Sequence, residues 1–406
     1  MSLSRREFLR RSGAVVASLS AYALLGCGAA NGQGGANNAP AAPVNTLLGD
    51  PPKKPDSPLI KKKGTIIGAA RGMQDGKQAF YLSVVNLDAP KLAAKLIPLT
   101  FLSHGVTPNP VKPERAVLFE KQGKGSCEVD LKLGKVLATI PTVEGRKFYG
   151  HGAYSLDGSL LYATETEMST YKGVIVVRDG VTFKELGKFP TFGEAPHDCH
   201  MINEGKTLVI TNGGAALGAT GDEAAPSVTF VDIKTEKLLE RVIFTNDKIN
   251  AGHLAITSKQ DLAVVSAPRD GVPGQATAQG ALTLRPAGGI VSTMDAPSET
   301  VKKMTGESLS VCIHEASGIV GVTNPTGGIV TFWDLAEKKL IKAMEMGKPL
   351  GIALTLDKKD FVISFCPDAT TAALQRFDAL TLEPIPGGRF DEAYMSGSHI
   401  LAYDLV

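Results

Sequence analysis

One pattern recurs along this chain, and its spacing limits the possible folds more than any other feature. Each copy has an apolar run, a turn and a second apolar run, as in FYGHGAYSLDGSLLYATE, where Asp157-Gly158 provides the turn. Successive copies start between 41 and 57 residues apart. They start at His104, His151, His197, His253, Ser310, Gly351 and His399. Because a four-stranded propeller blade has about this length, the sequence predicts an all-β, seven-bladed β-propeller.

The two ends of the repeat region are incomplete in complementary ways. The last copy, HILAYDLV, stops after one strand, whereas residues 65–99 contain three predicted strands and no inner one. Joining both ends in a single blade would close the ring and remove the free sheet edges that promote aggregation. We therefore expect N- and C-terminal strands to share a blade.

The N-terminal segment has the features of an export signal. Ser4-Arg5-Arg6-Glu7-Phe8-Leu9 resembles the twin-arginine consensus, and the apolar region at residues 13–26 is too short to span a bilayer. Leu24-Leu25-Gly26-Cys27 resembles a lipobox, in which the cysteine becomes the acylated N-terminus. We predict a signal peptide at residues 1–26, whose export signal is Arg5 and Arg6. We also predict lipidation at Cys27. The alternative is an ordinary buried cysteine beside an A-x-A cleavage site.

Composition separates a tether from a folded domain. Residues 27–63 are rich in Gly, Ala, Asn and Pro, which predicts a flexible tether, so the propeller should occupy residues 64–406. The net charge of +2 gives no reason to expect a nucleic-acid partner. We expect a monomer in the cell envelope, exported and anchored to a membrane through its lipid.

Five of the seven histidines share one position in the repeat. They precede or open the first strand of a unit: His104, His151, His197, His253 and His399. The first strand of a blade lines the central channel, so these side chains should converge near the channel mouth. His200 and His314 fall outside this phase. The simpler interpretation, structural or solvent-lining histidines, remains open at this point.

A ring of imidazoles predicts a transition-metal site. Neutral imidazole suits copper, iron, zinc and nickel, and we expect copper or iron rather than zinc. Cys199 lies two residues after His197, so on a regular strand it would face the same side and add a soft ligand. The other cysteines lack C-x-x-C spacing.

Motifs for familiar catalysis are missing from the sequence. It contains no G-x-S-x-G elbow, no H-E-x-x-H helix and no P-loop. We therefore favour a non-enzymatic protein that binds a metal for uptake or handling. The alternatives are a propeller oxidoreductase or hydrolase, or a scaffold that holds a protein partner with long loops near residues 213–227 and 267–285.

Two resemblances arise from these residues. YGHGAYSLDGSLLYATE, APHDCHMINEGKTLVITNGG and SHILAYDL resemble a family of twin-arginine-exported bacterial propellers, whose genes often lie beside imelysin-type iron-uptake components. This resemblance implies an envelope metal-uptake protein as partner. The chain departs from the family in its lipobox and at Ala251-Gly252-His253. The histidine-lined channel is also similar to the copper-cluster propeller of nitrous oxide reductase. That enzyme's set of seven histidine ligands and its second copper domain are absent here.

Overall fold

The computed structural model describes residues 61–405. The predicted signal peptide, Cys27 and most of the tether lie outside these residues. Within the described range the strands form seven sheets, and these are the blades of a β-propeller. The predicted fold class is therefore confirmed. No helix in this range is long and apolar enough to cross a membrane.

Each blade contains four strands in the order inner to outer, and one blade has an added fifth strand. Blade one contains β1 (Thr65–Gln74), β2 (Lys77–Asn86) and β3 (Ala94–Leu99). Blade two contains β4 (Gly105–Pro108), β5 (Arg115–Phe119), β7 (Ser126–Asp130) and β8 (Lys135–Thr139). Blade three contains β9 (Arg146–Tyr154), β10 (Leu160–Glu167), β11 (Lys172–Asp179) and β12 (Glu185–Glu194), with β6 (Lys121–Gly123) added beside β9. Blade four contains β13 (Pro196–Ile202), β14 (Thr207–Asn212), β15 (Ser227–Asp232) and β16 (Lys237–Ile243). Blade five contains β17 (Leu254–Ile256), β18 (Leu262–Ser266), β19 (Ala281–Arg285) and β20 (Ser292–Thr293).

The last blades complete the ring. Blade six contains β21 (Ser310–His314), β22 (Ile319–Asn324), β23 (Ile329–Asp334) and β24 (Lys339–Glu345). Blade seven contains β25 (Pro349–Leu354), β26 (Asp360–Phe365), β27 (Ala373–Asp378) and β28 (Pro384–Phe390). The chain then returns to blade one, where β29 (Ile400–Tyr403) is the inner strand. A short helix, α1 (Ser298–Lys303), precedes blade six.

Ring closure occurs as the repeat predicted. β29 pairs antiparallel with β1, from Thr65 opposite Tyr403 to Gly68 opposite Ile400. The apolar side chains pack mainly between neighbouring blades, as where Tyr162 of blade three shares a cluster with Ile210 of blade four. Because both chain ends contribute to one sheet, the core is continuous around the ring.

Hydroxyl side chains on second strands hold the backbone of several inner strands in place. Thr164 Oγ1 donates to the carbonyl of His151 at 3.0 Å, and Thr211 Oγ1 accepts from the Asp198 N–H at 2.9 Å. In the same way, Thr323 accepts from the N–H of Ser310, the first residue of β21, and Ser364 accepts from the N–H of Gly351, the third residue of β25. We call the face where the inner strands start the top face. The opposite, bottom face carries the turns from first to second and from third to fourth strand.

Candidate metal centre

Five imidazoles from five blades meet in the central channel near the top face. The Nε2 atom of His253 lies 2.7 Å from Nε2 of His197 and 3.0 Å from Nε2 of His104. His104, His151, His253 and His399 each offer a nitrogen, and these four atoms all lie within 4.8 Å of one another. His197 is outside that group of four but touches two of its members, so it stands at one side of the cluster. The structure thus brings together all five histidines of the shared phase.

The spacing of the nitrogens suits a single metal ion. With metal–nitrogen bonds of about 2.0–2.1 Å, two imidazole nitrogens on one ion lie about 2.9 Å apart at a right angle and about 3.3 Å apart in a tetrahedron. The observed separations of 2.7, 3.0 and 3.4 Å among His104, His197 and His253 cover this range. The cluster can therefore close around one ion with small side-chain movements.

The second ring nitrogen is held by a neighbour in three histidines, His151, His253 and His399. His253 donates from Nδ1 to the Leu309 carbonyl at 2.8 Å, which leaves the Nε2 lone pair directed into the cluster. Nδ1 of His399 lies 3.4 Å from Ser310 Oγ. Nε2 of His151 and Nε2 of His399 are buried and have no hydrogen-bond partner among residues 61–405. A held Nδ1 and a vacant Nε2 are the arrangement typical of metal-binding imidazoles, whereas hydrogen-bonded structural histidines would use both nitrogens.

Glycines on either side of the histidines allow the rings to approach. Gly150 has φ +116°, and a Cβ there would lie 2.6 Å from Cδ2 of His104. A Cβ on Gly105 would lie 2.3 Å from the Gly150 carbonyl oxygen and 2.9 Å from Nδ1 of His151. This close approach explains why glycine flanks His151 in the repeat.

Asp198 is a site residue that sequence reasoning missed. Its carboxylate is buried, lies 3.3 Å from Nδ1 of His151 and accepts from the Leu254 N–H at 3.1 Å. Burial alone would raise its pKa, but the imidazoles of His151 and His200 together with hydrogen bonds hold the pKa below its usual value. Asp198 is therefore ionised near neutral pH and orients His151 from outside the cluster.

The prediction for Cys199 as a ligand fails because of a β-bulge. The register of β13 and β14 shifts between Pro196 and Cys199, so the side chains do not alternate as on a regular strand. Cys199 packs among apolar residues between blades three and four instead of entering the imidazole cluster. Burial raises the pKa of its thiol well above the ordinary value. The sequence HDCH places Asp198, not Cys199, beside the cluster.

The cluster is more buried than a site at an open mouth. His104 is 8% exposed, and His197 and His253 are each 4% exposed. β6 pairs with β9 at Phe148 and Tyr149, and the Tyr149 ring lies 5.6 Å from the His197 ring. Burial lowers the pKa of all five imidazoles, and the Lys121 ammonium lowers it further. Neutral rings, the form that binds metals, are therefore favoured.

Beneath the cluster the channel contains a cavity of about 360 Å³, which reaches from His253 and His399 to Lys358 near the bottom face. The small exposed part of His151 and His399 faces this cavity. A larger cavity of about 650 Å³ lies between top-face loops and is lined by Lys248, Thr277 and Asp295. Its described lining contains no imidazole or thiol, so we assign the candidate site to the channel.

The two histidines outside the shared phase have different positions. His200 lies below the cluster, with its Nε2 atom 3.4 Å from Oδ2 of Asp198. Burial by itself would lower the pKa of this imidazole, but the charge of Asp198 outweighs burial, so the pKa is raised from its ordinary value. His314 lies at a bottom-face turn, where Nδ1 is 2.6 Å from Ser317 Oγ. His314 is therefore a suitable control residue for tests of the cluster.

Comparison with known proteins places the chain in a family and supports its fold. Residues 97–394 match the family described as "Protein of unknown function (DUF1513)". No curated protein matches the chain. Similar solved structures include hydrazine synthase from Kuenenia stuttgartiensis, with a TM-score of 0.56 and 13% identity over 73% of this chain and 91% of that one.

Two further structures have comparable likeness. A hypothetical selenium-binding protein from Sulfolobus tokodaii has a TM-score of 0.56 and 11% identity, covering 84% of this chain and 91% of the other. A chain of the mitotic checkpoint complex has a TM-score of 0.52 and 11% identity, covering 71% and 79%. At these identities the likeness concerns the fold alone.

Proposed function

We propose that this chain, which belongs to the DUF1513 family, binds one transition-metal ion in the channel through its imidazole cluster. The observation that carries the proposal is the convergence of imidazole nitrogens, of which Nε2 of His151 and Nε2 of His399 have no other partner in the described part of the chain. Their neighbours at Nδ1, Asp198 and Ser310, hold the rings in the orientation that binding requires.

Copper or iron fits this donor set better than other metals. All donors are neutral nitrogens, which disfavours magnesium and calcium. The four nitrogens that lie within 4.8 Å of one another also match the ligand number of a tetrahedral zinc site, and His197 beside them offers a fifth imidazole that a four-coordinate zinc would not use. Among divalent first-row ions, copper has the highest intrinsic affinity for nitrogen ligands. We therefore rank copper first. Iron is second because of the resemblance to propellers encoded beside imelysin-type iron-uptake components, since its intrinsic affinity for nitrogen ligands is low in this order.

The proposed role is metal uptake or handling in the cell envelope. The support is the export signal at Arg5 and Arg6, the lipobox at Cys27 and the resemblance to propellers encoded beside imelysin-type iron-uptake components. A buried ion held by neutral rings is well shielded, which suits a carrier that passes its ion to an envelope partner. The similarity to the nitrous oxide reductase propeller extends only to the idea of a histidine-lined channel.

Elemental analysis of protein exported and folded in its own compartment tests the proposal. We expect about one copper or iron ion per chain in the wild type and in His314→Ala, and a large loss in His253→Ala. The control His314 lies outside the cluster. A wild-type protein with no transition metal, which also takes up none from copper or iron salts, would refute the function.

The export part of the proposal needs separate variants. Replacing Arg5 and Arg6 by lysine should leave precursor in the cytoplasm, because the twin-arginine signal is read through both side chains. Cys27→Ala should be exported without a lipid. Normal lipid labelling of Cys27→Ala would show that the lipoprotein prediction is wrong.

A further inference from the structure

The side chains that converge in the imidazole cluster are all neutral donors. Within residues 61–405, the atoms placed to hold an ion there belong to four histidines, and His197 beside them adds another imidazole. A bound copper(II) ion would therefore keep both of its positive charges inside a buried site. A buried charge is costly unless an opposite charge accompanies it. The loaded cluster therefore needs a negative partner.

The carboxylate in contact with the cluster, Asp198, is occupied by other groups. Oδ1 accepts from the Cys199 N–H at 2.9 Å and lies 3.3 Å from Nδ1 of His151. Oδ2 accepts from the Leu254 N–H at 3.1 Å and lies 3.4 Å from Nε2 of His200. Asp198 thus offsets one positive charge from outside the cluster, and neither of its oxygens is free to bind the ion.

The thiol in the channel does not supply a second negative charge. Cys312 lines the cavity beneath the cluster, and desolvation raises the pKa of its thiol to about 11. The thiol is therefore uncharged near neutral pH. Among the described residues that line this cavity, Asp198 is the single anionic side chain.

Lys358 adds positive charge to the same cavity. It belongs to the lining, and its ammonium is close enough to lower the pKa of the Cys312 thiol. The amine has no ion-pair partner among residues 61–405. The neighbouring carboxylate, Asp357, accepts from Thr355 Oγ1 at 2.7 Å and lies outside the lining. A copper(II) ion and Lys358 together outweigh Asp198, so the loaded cavity attracts anions.

Solvent reaches the cluster through this cavity. On the top side, β6 pairs with β9, and Nζ of Lys121 in β6 lies 3.7 Å from the carboxylate of Glu307, just ahead of blade six. On the bottom side, the partly exposed rings of His151 and His399 line the cavity. A ligand from solvent therefore approaches the cluster from the bottom face.

The cavity walls select the kind of anion. Partly exposed aliphatic side chains from the inner strands of four blades line it: Val106, Ile256, Val311, Ile313 and Leu401. Its volume of about 360 Å³ is at the lower end of the range for small-molecule sites, roughly 300–1,000 Å³. Apolar walls that lead to a cationic end fit a molecule with a short apolar body and one anionic head.

We propose that the channel cavity binds a small organic monoanion, of the class of short-chain carboxylates, whose head group binds the metal ion. The apolar body lies along the aliphatic walls, and Lys358 attracts the anion at the bottom opening. This inference rests on the proposed metal binding and adds a second ligand to it. Because coupling between two ligands is reciprocal, the anion also strengthens metal binding.

Anion titration of the copper-loaded full chain tests the inference. Azide bound to copper(II) gives a charge-transfer absorption band, and a carboxylate that takes its place abolishes the band. From acetate to pentanoate, each added methylene should strengthen binding about fourfold, because the walls bury it. Pentylamine, a cation of similar shape, should not displace azide. Metal-free protein should bind pentanoate at least tenfold more weakly, as measured by calorimetry.

Elemental analysis of the same samples separates this inference from the proposed function. A chain without copper would refute both, whereas a copper-loaded chain without an azide band would overturn the inference alone. Displacement that does not depend on chain length would mean that any small anion, such as hydroxide, balances the charge, and would overturn the organic ligand. Equal pentanoate binding with and without copper would overturn the role of the metal.

Two matched lysine variants test the bottom opening. Lys358→Gln should weaken pentanoate binding about fivefold, because the anion loses one nearby charge. Lys359→Gln changes the next amine, which lies outside the lining, and should leave binding nearly unchanged. Equal weakening in both variants would contradict the placement of the anion beside Lys358.

Narrowing the cavity tests the position of the apolar body. In Ile313→Phe, pentanoate should bind no more tightly than acetate, while the copper content and the azide band persist. Val106→Phe repeats the measurement if Ile313→Phe fails to fold. Pentanoate binding as tight as in the wild type, in a folded narrowed variant, would show that the anion lies elsewhere.

Discussion

Nδ1 of His151 lies 3.3 Å from Oδ1 of Asp198, which joins an imidazole of blade three to a buried carboxylate of blade four. The carboxylate fixes the ring orientation and increases the basicity of Nε2, the atom directed at the other imidazoles. Two neighbouring blades must therefore keep their register for the cluster to form. The metal site and the packing of the propeller are coupled through this contact.

Replacing Asp198 with asparagine should weaken metal binding by about 10–100-fold, because the ring of His151 loses its carboxylate partner. The measurement is a competition titration of metal-free protein against a chelator of known affinity. Asp157→Asn, which changes a fully exposed turn carboxylate, is the matched control and should leave affinity unchanged. Equal affinities for Asp198→Asn and the wild type would show that the carboxylate does not support the site.

Gly150→Ala should displace His104 and reduce metal occupancy, because the new methyl group would lie 2.6 Å from Cδ2 of that ring. Gly145→Ala is the control, since this glycine also has a positive φ, of +81°, but no atom of the described residues would lie within 4 Å of the added Cβ. Both variants should lose about 1–3 kcal/mol of stability from backbone strain. Only Gly150→Ala should lose metal, as measured by elemental analysis; equal metal content in both would contradict the steric argument.

Metal-free protein should lose stability as the pH falls below about 6.5, the ordinary histidine pKa. Burial lowers the pKa of the five imidazoles in the folded state, so the unfolded chain binds more protons between its own pKa and the lowered values. Stability is then complete above pH 6.5 and decreases towards the folded pKa values. Urea midpoints between pH 8 and pH 5 measure this slope.

A matched variant assigns the slope to the cluster. His253→Gln removes one buried titrating ring and should flatten the decline, whereas His314→Gln, outside the cluster, should change it less. A urea midpoint that stays constant or rises between pH 7.5 and pH 5 would contradict the burial of neutral imidazoles.

Deleting residues 399–406 should destabilise the propeller or cause aggregation, because β1 would lose its partner β29 and expose a sheet edge. His399→Ala removes the imidazole but keeps the strand, so it separates ring closure from metal binding. Thermal unfolding of both variants is the measurement. A truncated protein that melts like the wild type would contradict closure through the chain ends.

Periodicity made the fold and the five histidines predictable. The repeat carries its phase along the chain, so residues at equal positions, such as His104 and His253, had to lie at one level of the ring. A single bulge breaks such a rule locally, which is why Cys199 was placed wrongly and Asp198 was overlooked. The burial of the site depends on β6 pairing with Tyr149 of the next blade, a tertiary contact without a signal in the repeat.

The concentration of exposed aliphatic side chains in bottom-face turns was also invisible in the sequence. Leu156 and Val181 lie in turns that the repeat assigns correctly, but their place on one face appears only when the blades are assembled. Single exposed aliphatic residues are ordinary. Their concentration on one face of the ring is what distinguishes them.

X-ray absorption at the metal edge of copper-loaded protein tests the central claim most directly, because imidazole ligands produce characteristic outer-shell scattering. We predict four or five imidazole nitrogens at about 2.0 Å from the ion, with no sulfur ligand. His197→Ala should lower the fitted number from five to four if that ring binds, and His314→Ala should leave the spectrum unchanged. An ion surrounded by oxygen ligands with fewer than three imidazoles would show that the metal binds elsewhere and that the five histidines are structural.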